Sequence, residues 1–589
     1  MPPLQLQPAM SPRQRLWRYV RRYKALLGWG VVCIFIANLG QMIGPIVLRD
    51  GIDDLTSGVT QAKLLYYGGA FIGINLVAGF FIFLQRRVIP TVARNFEYDL
   101  SNDFYAHLQK LPLEFYQTSR TGDLMSRATS DMSAVRMIVA AALMYAVNTL
   151  FGIALILPLM LSMNWRLTLL AFLPLPFVTL TTKIVSKSIH DESTRVQEHF
   201  GTVSNRLQES LAGVRVIRAY VQEGAEMENF KRVNTELVRR NVRLIHLNSF
   251  FAPVVNFIIG IAVVVGVWYG GLLTLRGQLT IGQLFQFILY LELLIYPMLQ
   301  LGIIVNYFQR GMASMSRLHE VMSIEPAIGD SAASDEVTDV KGEIEFRHLY
   351  FTYPGNKEPA LREINLRIQP GQTVAFVGNV GSGKSTLVSL VPRLLDAEPG
   401  QILIDGRPIH TIPLQKLRAN LGYVPQETFL FSDTILANIA FGAPHADSKE
   451  VERSALEAGL AQDVEAFPNG YATSIGERGI TLSGGQKQRT ALARALIRQP
   501  RILIMDDSLS AVDTQTEAKI LAHLRRVRFQ RTTLIVSHRI STIKDADLIV
   551  VLEDGYIVER GTHSELITYG GLYARLHEKQ IFEQKLTVA

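Results

Sequence analysis

Lys384 closes the run Gly378-Asn379-Val380-Gly381-Ser382-Gly383 and is followed by Ser385-Thr386. The spacing is G-x-x-x-x-G-K-[ST], set between a short apolar run, Val374 to Val377, and the start of a helical stretch. Glycines at those positions let successive backbone N–H groups turn inward around an anion, and a helix start adds partial positive charge. In such a loop the ammonium of Lys384 reaches the outer phosphates of a nucleotide, and the hydroxyl of Ser385 holds Mg²⁺. The plainer reading, a glycine-rich turn that happens to precede a lysine, leaves the residues downstream unexplained.

Those residues recur at strand ends. Arg501 to Met505 is a buried-strand pattern that runs into Asp506-Asp507, and Asp506 is placed to hold Mg²⁺ through water. Tyr423-Val424-Pro425-Gln426 ends another strand, where Gln426 can touch Mg²⁺ and sense a γ-phosphate. Ile535-Val536-Ser537-His538 ends a third. A lone histidine is usually structural, but beside the other parts of a phosphoryl-transfer site His538 reads as a γ-phosphate contact. Tyr353, in the stretch Leu349 to Gly355, offers an aromatic face to a nucleobase; the structural alternative is a core tyrosine. Leu482-Ser483-Gly484-Gly485-Gln486, preceded by Gly476-Glu477-Arg478-Gly479, makes a second anion-binding helix start. One nucleotide does not need two cradles unless the second faces a partner's nucleotide.

The elements that carry these residues divide the chain. At 589 residues it is too long for one ordinary domain. Long apolar runs stop near Arg310. A segment rich in Ala, Ser, Asp and Glu, 323–341, reads as a linker, and strand-like runs alternating with helical ones over 342–589 predict an α/β domain. Cys33 is the single cysteine, which excludes an intrachain disulfide and a cysteine-based metal site.

Six apolar stretches are predicted to span a membrane: Ala25–Leu48, Leu64–Leu84, Met137–Met163, Leu167–Thr182, Phe250–Leu275 and Ile281–Phe308. The fourth is short and needs its flanks. The net charge of +7 is partly concentrated in 1–24, where Arg13, Arg15, Arg18, Arg21, Arg22 and Lys24 abut the first span. That is better explained by membrane topology than by nucleic-acid binding. The positive-inside rule puts both termini and the long, basic loops Gln85–Arg136 and Lys183–Ser249 in the cytoplasm. Leu207, Leu211, Val214 and Ile217 recur at helical spacing, so the loops are expected to prolong the spanning helices. Gly122 and Gly213 break that pattern, as short helices lying across the bundle end or as ordinary turns. Glu292 falls near mid-membrane, where an ionisable group marks a cavity or pathway unless it is protonated or snorkels to water. Pro297 would kink the same helix. Asn38, Gln41, Asn148, Asn256, Gln283 and Gln300 are either further cavity groups or interhelical hydrogen bonds.

GNVGSGKST, YVPQ, LSGGQKQR, LIMDD, SAVD and VSHR, in this order and at this spacing, resemble the nucleotide-binding domain of ABC transporters. A six-helix membrane domain fused before it, 25–322, resembles a type IV exporter half-transporter of the bacterial multidrug type. TGDLMSRATSD and GERG are further family-like features. The resemblance covers nearly the whole chain. It implies a multidomain fold, an all-α membrane domain followed by an α/β P-loop ATPase, with ATP and Mg²⁺ as cofactors. Two half-transporters would dimerise, with Tyr353, the loop Gly378 to Thr386 and Gln426 on one nucleotide. Ser483, Gly484, Gly485 and Gln486 would close over the partner's. The turns near Gly122 and Gly213 would be coupling helices. Asp507 and His538 would be catalytic, but the family usually carries Glu after the Walker B aspartate. Asp507 is one methylene shorter, which implies a slow site in a heterodimer whose other chain carries the Glu; the alternatives are a homodimer with two slow sites, or an Asp507 that reaches water after a small backbone shift.

The function implied is ATP-driven export of amphipathic drugs, lipids or peptides by alternating access, across a bacterial inner membrane with the ATPase domain cytoplasmic. A lipid flippase homodimer is the nearest alternative. An ATP-gated channel or sensor ranks lower, since no long regulatory insertion and no ring of pore charges is present. The spans exclude a soluble ATPase acting on nucleic acid. The fused membrane domain and the lack of a binding-protein module disfavour an importer.

Overall fold

The computed structural model describes residues 10–58, 60–330, 340–476, 482–526 and 531–588. Part of the basic start (1–9), part of the expected linker (331–339) and Glu477 to Gly479 of GERG lie outside the described residues. By its internal contacts the chain divides into two compact units, Met1–Gln109 with Ser119–Ile324, and Lys110–Thr118 with Glu325–Ala589.

The first unit is helical. Among the described residues, five helices are long and apolar enough to cross a membrane: Lys24–Thr56, Gln61–Leu108, Thr121–Met163, Glu223–Leu275 and Ile281–Met322. The fourth expected span, Leu167–Thr182, is not one continuous helix. That stretch is shared between two helices, Trp165–Phe172 and Leu175–Ala212, with a turn at Leu173–Pro174. Proline lacks a backbone N–H and disfavours helical geometry in the residue before it. Asn164 sets the other end: its backbone is extended and its side chain accepts from Leu167 N at 3.0 Å, capping the new helix.

The long loops do prolong spanning helices. Gln61–Leu108 runs 48 residues and Glu223–Leu275 runs 53. Short helices, Leu113–Thr118 and Val214–Ala219, fall between the long ones in sequence, and Thr121–Ser126 opens the long helix Thr121–Met163. The first break falls at Ser119-Arg120 and not at Gly122, which sits inside a helical turn. Leu207, Leu211 and Val214 are exposed, the first two on helix Leu175–Ala212 and Val214 at the start of the next helix, after Gly213.

Helix Ile281–Met322 packs one face inward. Phe287, Tyr290, Leu291 and Leu294 are fully buried, and Glu292 lies exposed between them on the other face. The polar residues split. Asn38 donates to Asn148 Oδ1 at 2.7 Å, an interhelical hydrogen bond. Gln283 belongs to a capping box with Thr280 and so fixes the start of the helix. Gln300 is buried; Gln41 and Asn256 are exposed.

The second unit holds two sheets. An antiparallel one has the order β2-β1-β4-β5, with β1 Ile344–Phe351, β2 Leu361–Ile368, β4 Ile402–Ile404 and β5 Arg407–Pro408. The larger has the order β10-β9-β3-β8-β7-β6. Its members are β3 Thr373–Gly378, β6 Leu421–Val424, β7 Ile502–Asp506, β8 Thr532–Val536, β9 Leu548–Glu553 and β10 Tyr556–Gly561. β9, β3, β8, β7 and β6 are parallel, and β10 is antiparallel. Val374 to Val377 and Ile502 to Met505 are buried along their whole length, as strands covered on both faces require. The carboxyl ends of β3, β8, β7 and β6 therefore come to one edge of the sheet, where open α/β sheets bind their ligands.

Candidate active site

At that edge a cleft of about 310 Å³ is lined by Tyr353, Ala360, Val380, Gly381, Gly383, Lys384, Ser385, Thr386, Gln426, Asp506, Asp507, Val536 and His538. Residues far apart in sequence, from Tyr353 to His538, thus meet around one space. Gly378, Asn379 and Ser382 stand behind its wall: Lys384 Nζ donates to Gly378 O at 3.1 Å, Asn379 O at 2.7 Å and Ser382 Oγ at 3.3 Å.

The loop's shape depends on its glycines. Gly383 has φ +95, and a Cβ there would lie 2.7 Å from Leu361 Cδ2 and 2.8 Å from Ala360 O. At Gly378 a Cβ would lie 2.1 Å from Leu552 O. A side chain at either place would push the loop off β2 and β9. The helix Lys384–Leu390 starts at once after Gly383.

Ser385 Oγ donates to Asp506 Oδ1 at 2.9 Å. Burial raises the Asp506 carboxyl above its ordinary value; the Ser385 hydrogen bond pulls it back, Asp507 raises it further, and Lys384 and His538 pull it back again. Lys384 is lowered by burial and partly restored by Asp506 and Asp507. Charges of both signs are thus held partly desolvated in one cleft. Ser385 Oγ, Asp506 Oδ1 and Gln426 are hard oxygen donors, the set that suits Mg²⁺.

Asp507 has a left-handed backbone, φ +44, and its N–H donates to Val536 O at 2.8 Å. His538 follows β8 and is exposed. Tyr353 lines the cleft with its hydroxyl 3.0 Å from Thr386 Oγ1 and its ring edge-on to Phe351.

Ser483, Gly484, Gly485 and Gln486 are not among the cleft's lining residues. Ser483 caps the helix Gly484–Leu496 in a capping box with Gln486, whose Nε2 also donates to Asp463 Oδ1 at 2.9 Å. The sequence reading missed Ala360, which adds main-chain surface beside Gly383, and Arg539, which ties the His538 segment to the loop after β7. Neither carries a local sequence signal, because each acts through backbone carbonyls.

A phosphate loop after β3, paired carboxylates after β7 and an imidazole after β8, facing one cleft, define a P-loop ATPase domain. Comparison with known proteins gives the family. Residues 27–298 match the ABC transporter transmembrane region and residues 361–510 match the ABC transporter ATPase domain. The chain is 38% identical to the probable multidrug resistance ABC transporter ATP-binding/permease protein YheI of Bacillus subtilis (strain 168), over 97% of this chain and 98% of that one. It is 34% identical to an ATP-dependent lipid A-core flippase of Syntrophus aciditrophicus (strain SB), over 97% and 95%. Its fold matches the structure of a bacterial Atm1-family ABC exporter with ATP bound, at TM-score 0.77 and 28% identity, over 95% and 98%. The chain belongs to the ABC transporter family, as an exporter in which a membrane domain precedes the ATPase domain. It is an integral multi-pass membrane protein that binds ATP and couples its hydrolysis to export.

Proposed function

We propose that this chain is one half of a two-chain exporter of amphipathic compounds, working by alternating access across a bacterial inner membrane. The observation that carries this is the separation of the Ser483–Gln486 helix start from the cleft around Lys384. Gly484, the first residue of that helix, is exposed, and a helix start suits an anion that its own domain does not hold there. A second chain supplies that nucleotide and receives this signature. The exposed Leu207 and Leu211 offer apolar surface for the same partner. A further crossing by the paired helices Trp165–Phe172 and Leu175–Ala212 would leave both termini on the same side of the membrane.

In the closed dimer the backbone of Gly378 to Thr386 and the Lys384 ammonium hold the phosphates, and Tyr353 stacks on the base. Ser385, Gln426 and Asp506 would hold Mg²⁺, which when bound neutralises charge on the β- and γ-phosphates. Asp507 orients the attacking water, and His538 contacts the γ-phosphate. The short helices near Gly122 and Gly213 carry closure to the membrane helices, a two-state element biased by ligand contacts present in one state only.

The test is ATP-dependent uptake of fluorescent amphiphiles into inside-out vesicles. No uptake above a Lys384→Ala control would overturn the proposal. A lipid flippase is the second reading, supported by likeness to proteins named lipid A-core flippases; movement of labelled lipid but of no small amphiphile would select it.

A further inference from the structure

The ring of His538 is exposed and makes no hydrogen bond among the described residues, so what the fold holds in place is its main chain, from which the ring extends. That backbone is held from outside its own loop. Gln580, on the last helix, Leu572–Val588, donates through Nε2 to His538 O and accepts the N–H of Ile540 at 2.9 Å through Oε1. One carboxamide therefore grips the main chain on both sides of Arg539. It also satisfies an N–H at the start of the short helix Ile540–Ile543 that the helix itself leaves free.

Gln580 is itself anchored. Tyr573 is fully buried in the core of the ATPase domain, and Leu576 packs against that core. Residues 573, 576 and 580 are spaced i, i+3, i+7, so one helix face carries two apolar anchors and then the carboxamide. The Tyr573 hydroxyl meets His563 Nδ1 at 2.7 Å, and Glu559 accepts the backbone N–H groups of Leu572 and Tyr573. On the far side Arg539 Nη1 donates to Val512 O at 2.9 Å and Glu517 Oε2 at 3.2 Å, while Ser510 Oγ donates to Asp507 O at 2.9 Å. The histidine segment is thus clamped between the last helix and the loop that follows Asp507.

We infer that Gln580 is a positioning residue for ATP hydrolysis, fixing the main chain of His538 so that its ring meets the γ-phosphate. The inference rests on the reading of His538 given under the proposed function. It makes the C-terminal helix part of the catalytic apparatus without touching nucleotide.

The test uses the full chain in the membrane assembly it forms, photolabelled with 8-azido-ATP carrying either α or γ radiolabel. The α label on this chain reads occupancy of its own site. Loss of γ relative to α reads hydrolysis there, whichever chain lies opposite. Gln580→Ala should slow γ loss about tenfold while half-saturation stays within about twofold, as a misplaced catalytic group requires. Gln580→Glu keeps the acceptor for Ile540 N–H but replaces the donor to His538 O with a carboxylate, so it should be as slow as Gln580→Ala. His538→Ala should be slow, and adding Gln580→Ala to it should cost nothing more. A Gln580→Glu protein at the wild-type rate overturns the inference, leaving helix capping as the role. So does a Gln580→Ala loss that persists in full in the His538→Ala background, or a wild-type rate for Gln580→Ala beside a slow His538→Ala. Unchanged hydrolysis in His538→Ala overturns the histidine's role, and this inference with it.

Discussion

Ser385 donates its hydroxyl to Oδ1 of Asp506 at 2.9 Å, joining the helix after the phosphate loop to the end of β7. The carboxyl that accepts is buried and lies above its ordinary value, chiefly through burial. A raised carboxyl binds its proton more tightly folded than unfolded, so stability falls as pH rises from the unfolded value through the folded one. Without nucleotide, the unfolding midpoint should therefore drop over that window, and Asp506→Asn should flatten the profile. At pH 7 the Asn protein should melt no lower than wild type, and MgATP should stabilise it less. A thermal-shift series from pH 4 to 8, with and without MgATP, checks both; an unchanged wild-type slope in the variant sinks the argument.

Lys384→Ala removes the ammonium from a site where it is buried and held by Gly378 O and Asn379 O. A hydrogen bond from a charged group contributes about 1.5–3 kcal/mol, so nucleotide affinity at this chain's loop should fall about tenfold or more. Trace-label binding measured at this site alone is the readout, because total ATPase includes any second site. Unchanged binding would remove the loop from the nucleotide site.

The cleft was legible because its chemistry is written in local spacing. Gly378 to Thr386 is contiguous, and Asp506, Gln426 and His538 each end an apolar run that could only be a buried strand. The break inside the fourth span was not legible for a related reason. Its composition is apolar, but Pro174 interrupts the backbone, and hydropathy does not register a missing N–H. Gln283 read as a cavity group because its type is polar; its role depends on Thr280 three residues earlier, a pairing seen only once the helix start is fixed. Gln580 carried no signal at all, since its partners lie 40 residues away and are main-chain atoms.

Glu292 sits on the exposed face of helix Ile281–Met322, opposite the packed Phe287, Tyr290 and Leu291. If that face lines the pathway, Glu292→Gln should reduce transport of cationic substrates more than of neutral ones of similar size. Uptake of a matched cationic and neutral pair into inside-out vesicles gives the ratio. An equal ratio in variant and wild type would assign the carboxylate to solvent.

On the two-chain reading proposed above, Asp507 decides whether the two ATP sites are alike. Its backbone is fixed on both sides, by its N–H to Val536 O at 2.8 Å and by Ser510 Oγ to its own carbonyl at 2.9 Å. A backbone shift that would carry the shorter side chain forward must break these contacts. Retracting a catalytic carboxylate by roughly 1 Å costs on the order of a hundredfold in rate. The charge remains, so MgATP binding should survive while hydrolysis at this site stays slow. The Ser483 capping box is intact, so this chain can still complete a fast site on a partner that carries Glu. Three substitutions follow. Asp507→Asn should leave most ATPase activity of the native complex. Asp507→Glu should speed hydrolysis at this chain's own site. Ser483→Arg should abolish most activity by blocking the partner's nucleotide. Steady-state ATPase of the purified complex, with site-resolved photolabelling for the Glu variant, measures all three. If Asp507→Asn removes nearly all activity, or if this chain alone assembles into a fully active homodimer, the sites are equivalent and the asymmetric reading is wrong.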